Sequence, residues 1–344
     1  MKYTDTLLRN NANGTKTSKL GMGAAAFGYM YNRQSGKQEA VDIIRRAFGL
    51  GINVFDTSPW YSFNDGCTEK PFGEALKDID RSKFFMSTKI GRYGGPRPLD
   101  FSADRAEASL KRGLEYMNLE YVDMLQLHHS DTAQFDERAM NQIFSETLPA
   151  MDRLRKQGLV KHIGIASFDL DFLDMMLEKS PVKIDIALTW AKLCLHDTQV
   201  KERIASYKAK NLGVIACSPL GRGLLISNDD DVPSDKHFHP DLMTAAKEAR
   251  KICKNNNLMI EELALAYTCD EAEQCGVDLV LSGPSSIAEL EANVRVYESG
   301  MSKKQRDIAM QLRQGPFGSD IDGKRDSFSC KIDYEQFMKL DEEN

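Results

Sequence analysis

Four times along the chain a stretch with apolar residues at helical spacing ends in a glycine and runs into a short apolar segment. Gly51 precedes INVFD, Gly158 precedes LVKHIGIAS, Gly213 precedes VIACSP and Gly276 precedes VDLVLSG. A helix closed by a left-handed glycine and followed by a buried strand is the αβ half of a βα repeat. The apolar runs are nearly continuous, as expected of parallel strands covered on both faces. Strands are predicted at 19–24, 52–56, 83–89, 121–128, 162–167, 184–190, 214–218 and 278–282. Eight is the number that closes a (β/α)8 TIM barrel, an α/β fold. Helices fit between them, at 37–50 with Ala40, Val41, Ile44, Ala47 and Phe48 on one face, and at 102–117.

The pattern predicts one barrel over 1–314 and a loop-like tail over 315–344, where glycine, serine and charge are frequent. An Asn13-Gly14 pair ahead of the first strand reads as the turn of a short hairpin, placed to plug the barrel bottom. The polar stretch 222–240 is long for a βα loop and reads as a lid.

Composition narrows the function classes. Of 344 residues, 42% are hydrophobic and 28% charged, and the net charge of -6 gives no general attraction to nucleic acid or anionic lipid. No apolar run approaches the ~18 residues of a membrane span, so the expected setting is cytoplasmic. The seven cysteines are Cys67, Cys194, Cys217, Cys253, Cys269, Cys275 and Cys330, an odd count without a CxxC pair. This spacing suits neither a disulfide framework nor a zinc site, and no metal is expected.

In a βα barrel the reactive face lies where strands end. Asp56 ends the second strand in FDTSPWY, Tyr61 follows in the loop, Lys89 ends the third strand, and His128 ends the fourth in YVDMLQLHH. Consecutive strands that end in a carboxylate, an amine and an imidazole make a titratable cluster expected of a tuned site. Trp60, Trp190, Arg92 and Tyr93 are candidates for a substrate pocket. The turn Ser218-Pro219-Leu220-Gly221-Arg222-Gly223 offers small residues and backbone amides for a pyrophosphate, with Arg222 as a charged contact.

FDTSPWY, the strand-terminal lysine, YVDMLQLHH, IGIASF, ACSPLGRG and GPSSIAELEANV occur in the order found in the aldo-keto reductases, which this chain resembles from about Ser18 to Val296. It is most similar to the L-galactose dehydrogenase-like branch, which includes aldose 1-dehydrogenases. The resemblance implies a nicotinamide-dependent oxidoreductase acting on a small sugar or carbonyl. It also implies Tyr61 as proton donor or acceptor, Lys89 as the cation that tunes it, Asp56 as the partner of Lys89, and His128 as the residue that orients the substrate oxygen. Cofactor contacts are implied at Gly23, Ala24, Asp56, Ser167, residues 217–222, Gly283, Ser285, Ser286, Glu289 and Asn293.

Some positions depart from the family pattern. Ala166 and Ser167 stand where Ser-Asn usually holds the carboxamide, Thr189 near the usual glutamine, and Cys217 where an aromatic usually stacks on the nicotinamide. Gly283 and Glu289 replace a lysine and an arginine that grip the 2'-phosphate of NADP. A carboxylate there repels a phosphate and accepts a hydrogen bond from a ribose hydroxyl, so NAD is favoured over NADP. Two other readings stay open: an NADPH-dependent aldehyde or ketone reductase, and a binding protein like the potassium-channel beta subunits of the same superfamily. The oligomeric state and the particular sugar are not legible.

Overall fold

The computed structural model describes residues 1–4, 16–27, 36–61, 68–93, 99–228, 232 and 238–318. The short strands β1 (Tyr3–Thr4) and β2 (Thr17–Ser18) pair antiparallel, with Tyr3 opposite Ser18 and Thr4 opposite Thr17. Eight further strands follow: β3 (Leu20–Gly23), β4 (Val54–Asp56), β5 (Phe85–Ile90), β6 (Val122–His128), β7 (Val160–Ser167), β8 (Ile186–Trp190), β9 (Gly213–Cys217) and β10 (Leu279–Ser282). They pair parallel in chain order, and β10 closes on β3. The expected (β/α)8 barrel is therefore present. Around it lie α1 (Lys37–Gly49), α2 (Lys70–Leu76), α3 (Ala103–Met117), α4 (Glu137–Gln142), α5 (Leu148–Lys156), α6 (Leu170–Lys179), α7 (Lys201–Ala209), α8 (Pro240–Asn255), α9 (Ile260–Cys275), α10 (Ile287–Ser299) and α11 (Lys303–Gln314).

Both strand faces are buried, which explains the continuous apolar runs. Val54, Phe85, Met124, Ala166, Ile186, Leu188, Ile215, Leu279 and Leu281 fill one cluster inside the barrel, while alternate residues such as Phe55, Met86, Leu125, Ile163 and Val214 join the helices in another. Gly21 in β3 leaves room for this filling, since a Cβ there would sit 2.7 Å from Leu281 Cδ2. Helix α3 begins at Ser102, whose side chain accepts from Arg105 N–H, and ends at left-handed Asn118. Of the four glycines expected to close helices, Gly51, Gly158 and Gly276 have positive φ. At the fourth place Asn211 takes the left-handed position, and Gly213 instead begins β9.

The N-terminal ends of the strands carry a fourfold device. Asn53, Asp123, Asp185 and Asp278 each stand at the start of every second barrel strand, in the local patterns INVF, VDML, IDIA and VDLV. Each side chain accepts a backbone N–H from the neighbouring segment: Ser18 just ahead of β3 on Asn53 (2.7 Å), Met86 of β5 on Asp123 (2.7 Å), Ile163 of β7 on Asp185 (3.1 Å) and Val214 of β9 on Asp278 (2.7 Å). The three carboxylates also hold cations: Arg81 on Asp123, Arg155 and Lys183 on Asp185, and Lys208 on Asp278. Asn53 instead donates to Lys16 O (2.8 Å) and so fastens the β1–β2 ribbon to the barrel. The Asn13-Gly14 pair lies outside the described residues, as do 319–344 of the expected tail and residues 229–231 and 233–237 of the expected lid. At the edges of those segments Leu224, Leu225, Phe238 and Phe317 are buried in a further apolar cluster with α8, α9 and α11.

Conservation of geometry at the far end of the barrel bears on stability more than on chemistry. Asp278→Ala removes an acceptor from a buried N–H, which costs about 1–3 kcal/mol. The expected outcome is a lower denaturant midpoint with the fold retained; an unchanged midpoint would remove the stabilising role of the ring.

Candidate active site

The C-terminal strand ends form one mouth, and its chemistry begins with an ion pair. Lys89 Nζ donates to Asp56 Oδ2 and, at 2.8 Å, to the Thr57 carbonyl. The two side chains are 2% and 6% exposed, so desolvation outweighs the attraction unless the remaining lone pairs are satisfied. They are: Asp56 Oδ1 accepts from Ser87 Oγ and Gln126 Nε2, each at 2.8 Å. Ser87 and Gln126 stand two residues before Lys89 and His128, so strand alternation aims them into the same interior layer. The sequence reading passed over both; a polar residue two places before each strand-end candidate was the available signal.

His128 is fully buried, and its Nδ1 lies 3.0 Å from Ser58 Oγ. That hydroxyl also accepts the Trp60 N–H at 3.1 Å, and when it gives its own proton to Nδ1 the imidazole proton stands on Nε2. Burial first, then the charges of His129, Lys89 and Arg92, hold the His128 pKa well below the ordinary range. The ring is neutral at pH 7 and acts as a hydrogen-bond donor. Tyr61 closes the short turn Pro59–Tyr61, with its ring 5.7 Å from the His128 ring and perpendicular to it. Lys89 Nζ lies 5.0 Å from the Tyr61 ring centroid. An ammonium beside a phenol favours the phenolate, so the group can accept or return one proton. The four sequence-predicted residues Asp56, Tyr61, Lys89 and His128 thus meet at one place.

A second polar cluster clips the loop after β4 from behind. Thr68 Oγ1 donates to Ser58 O at 3.1 Å, and Thr57 Oγ1 to Thr68 O at 3.2 Å. Next to Thr68, the buried Glu69 accepts from Thr88 Oγ1 at 2.9 Å, and burial pushes its carboxyl up to about 7.

Most of the expected cofactor residues lie on or just after β9, β10 and β3, with Asp56 on β4 and Ser167 on β7. After Cys217 the chain turns through left-handed Ser218, Gly221, Arg222 and Gly223. Gly221 has no alternative: a Cβ there would lie 2.5 Å from the His196 ring. Pro219 is buried and Leu220 half-buried, while Arg222 N–H donates to Ser218 Oγ at 3.1 Å. Arg222 Nη1 is buried without a hydrogen-bond partner among the described residues, a cation suited to an anionic group such as a pyrophosphate. Ser286 caps α10, and Glu289 Oε2 accepts from Ser285 N–H (2.8 Å) and Oγ (2.9 Å), which places a carboxylate at the helix start. Asn293 Nδ2 donates to Ser282 Oγ at 2.9 Å, and Gly283 is exposed. Gly23 pairs with Asp56, and Ala24 N–H donates to Asp56 O at 2.8 Å.

Ser167 is turned away from this group. Its hydroxyl donates to buried Asp131, which also accepts the Phe168 and Asp169 N–H groups; burial pushes the Asp131 carboxyl up to about 6. Thr189 is buried with its hydroxyl toward Ile215 O. Burial, then the Asp56 charge, pushes the Cys217 thiol up, so it is not a nucleophile.

Of the pocket candidates, Arg92 lies 4.2 Å over the Trp60 ring, and Trp190 is half-buried at the end of β8. Tyr93 is instead packed in the core, with Arg105 over its ring. His129, which follows His128, is buried at φ 47° and stacks on Phe168 at 3.7 Å. Among the described residues no group of three or more His, Cys, Asp or Glu is placed to hold a metal, and no helix is long and apolar enough to cross a membrane.

Comparison with known proteins gives the same frame. Residues 19–312 match the model of the Aldo/keto reductase family. An L-galactose dehydrogenase from Arabidopsis thaliana is 36% identical over 284 residues, covering 82% of this chain and 84% of its own length. A D-arabinose 1-dehydrogenase from Saccharomyces cerevisiae is 29% identical, with 84% and 85% covered. Among solved structures, the holo form of aldo-keto reductase AKR11C1 from Bacillus halodurans superposes with a TM-score of 0.68 at 24% identity, covering 91% of this chain and 95% of that one.

Two predictions test the site. Tyr61→Phe removes the proton-transfer group and should lower turnover on the order of 10²-fold or more while sparing cofactor binding; near-normal turnover would remove Tyr61 from the chemistry. The second concerns Glu69, whose raised pKa means that its stability contribution is complete below about pH 4.5 and is lost as pH rises through about 7. Glu69→Gln should therefore gain stability over wild type with rising pH, by up to about 3 kcal/mol above neutrality. The lowered histidines act oppositely in both proteins and cancel. A difference in unfolding free energy that is flat from pH 4.5 to 8 would show that Glu69 is ionised throughout.

Proposed function

We propose that this chain, which belongs to the aldo/keto reductase family, is an NAD-dependent aldose 1-dehydrogenase that oxidises the anomeric carbon of a small sugar to a lactone. The observation that carries the chemistry is the buried Lys89–Asp56 pair placed against Tyr61 and His128. The choice of sugar rests on the relatives, whose names include L-galactose dehydrogenase, D-arabinose 1-dehydrogenase and D-threo-aldose 1-dehydrogenase.

The residues present fit a dinucleotide. Arg222 and the left-handed turn 218–223 would hold its pyrophosphate, and Ser285, Ser286, Glu289 and Asn293 its adenosine end. Nicotinamide, when bound, supplies the hydride acceptor. The anomeric hydroxyl sits between Tyr61 and His128. Nε2–H of His128 orients its oxygen, and Tyr61 takes its proton as hydride leaves C1, so the O–H and C–H bonds break and the C=O bond of the lactone forms. Lys89 stabilises the phenolate before the transfer, and Asp56 keeps the ammonium in place. In the reverse direction the same phenol protonates a carbonyl oxygen.

NAD is favoured because Glu289 is a fixed carboxylate at the start of α10. A 2'-phosphate carries nearly two charges, and its repulsion at a part-exposed site is on the order of 1 kcal/mol, roughly tenfold in affinity. Gly283 has space for a side chain, since a Cβ there meets nothing closer than Gly23 O at 3.5 Å.

The decisive assay is NADH or NADPH formation over a panel of D- and L-aldoses. Oxidation of an aldose with NAD preferred is expected; aldehyde reduction by NADPH with no aldose oxidised would refute the proposal. Glu289→Arg with Gly283→Lys should move the ratio of the NAD and NADP dissociation constants toward NADP by tenfold or so. An unmoved ratio would show that Glu289 does not face the ribose.

A further inference from the structure

The interior positions at the strand ends divide the mouth into two halves. On β4, β5 and β6 they are Asp56, Lys89 and His128; on β7, β8 and β9 they are Ala166, Trp190 and Cys217. Trp190 shares strand parity with Ile186 and Leu188, which fill the barrel interior, so its side chain stands on the inward face at the rim. Its register partner on β9 is Cys217, and both strand-end neighbours are small. Cys217 stands on the strand that leads into the turn assigned above to the pyrophosphate, so this half of the mouth lies between that turn and the catalytic strands.

The indole is also held in one orientation. His129 and Phe168 stack at 3.7 Å, Phe168 lies 4.6 Å from Trp190 at 85°, and His129 lies 6.2 Å from it at 87°. These separations make nearly a right angle at Phe168, so Trp190 stands beside the stacked pair and is braced by the Phe168 edge. Phe168 is itself fixed through its N–H to Asp131. Arg222 Cζ lies over the Trp190 ring, 5.9 Å from its centroid. A flat aromatic surface is thus fixed between the catalytic groups and the expected pyrophosphate cation, with no large side chain on the interior strand-end position at either side.

We propose that Trp190 is the cofactor-positioning residue on which the nicotinamide ring stacks, in place of an aromatic at Cys217. This rests on the reading above that the chain binds a nicotinamide dinucleotide. Stacking fixes which face of the ring meets the sugar, and it acts on the nicotinamide half of the molecule only.

The experiment compares NAD with ADP-ribose, which lacks nicotinamide, by calorimetry on the full chain. Trp190→Leu should weaken NAD binding roughly tenfold and leave ADP-ribose binding unchanged, whereas Trp190→Phe should keep most of the NAD affinity. Cys217→Tyr added to Trp190→Leu should restore NAD binding, because the new ring rises from the adjacent register position. The chain has two tryptophans; in a Trp60→Phe background the remaining emission, from Trp190, should be quenched by NADH. Equal losses for NAD and ADP-ribose would make Trp190 a structural wedge and overturn the proposal. An unchanged NAD dissociation constant with a raised KM for the aldose would assign the indole to the sugar and overturn it too. Wild-type protein that binds neither NAD nor NADP would instead take down the dinucleotide reading on which it rests.

Discussion

A lysine and an aspartate paired where water does not reach them set the terms for everything around this mouth. Removing either partner leaves an uncompensated buried charge, a loss of about 3–5 kcal/mol, while keeping both requires that every remaining lone pair and proton be met. Three consecutive strands share that work. Asp56 accepts from Ser87 on β5 and Gln126 on β6, and Lys89 donates to Asp56 and the Thr57 carbonyl. The pair therefore closes a polar layer inside the barrel, directly above the apolar filling. It also holds Lys89 extended toward Tyr61, so the stability requirement and the chemical arrangement are met by the same contacts.

The two ends of the barrel use carboxylates in opposite ways. At the far end, Asp123, Asp185 and Asp278 accept backbone N–H groups and flanking cations at the foot of every second pair of strands. Their cations, from Arg81, Arg155 and Lys208, are partly exposed. At the mouth, the Asp56 carboxylate takes its partners from side chains of neighbouring strands, and the cation it holds is buried with it and stands against the Tyr61 ring. Register fixed at the far end carries to the mouth through strands of only three to eight residues. A slip of one residue would turn Ser87 and Lys89 away from the interior together.

Much of this was legible in the residues. Glycine after amphipathic runs located the strands, and strand-end position picked out Asp56, Lys89 and His128. Other features needed the third dimension. Gln126 lies inside an apolar run and has no local sign of its role until β6 is laid beside β5. Asp131 looks like an ordinary loop carboxylate, yet it is buried beneath the start of α6. For His129, sequence spacing alone does not show that a left-handed backbone turns it out of the strand. Tyr93 was misjudged for a related reason: adjacency to a strand end does not say which side of the rim a residue packs on.

That left-handed residue has consequences beyond itself. Two successive histidines in an extended strand would point to opposite faces, but φ 47° at His129 ends β6 and lets both rings remain on the same side, with centroids 4.7 Å apart. His128 is thereby left to serve the polar half of the mouth while His129 lies on Phe168 in the apolar half. Burial and the nearby cations keep both rings uncharged, which makes the stack possible, since a protonated imidazole would carry an unpaired charge into a site that already holds Lys89 and Arg92. The neutral state of His128 that suits it to donate from Nε2 and the neutral state of His129 that lets it pack have one cause. The catalytic half of the mouth and its aromatic half are consequently coupled by electrostatics as well as by contact.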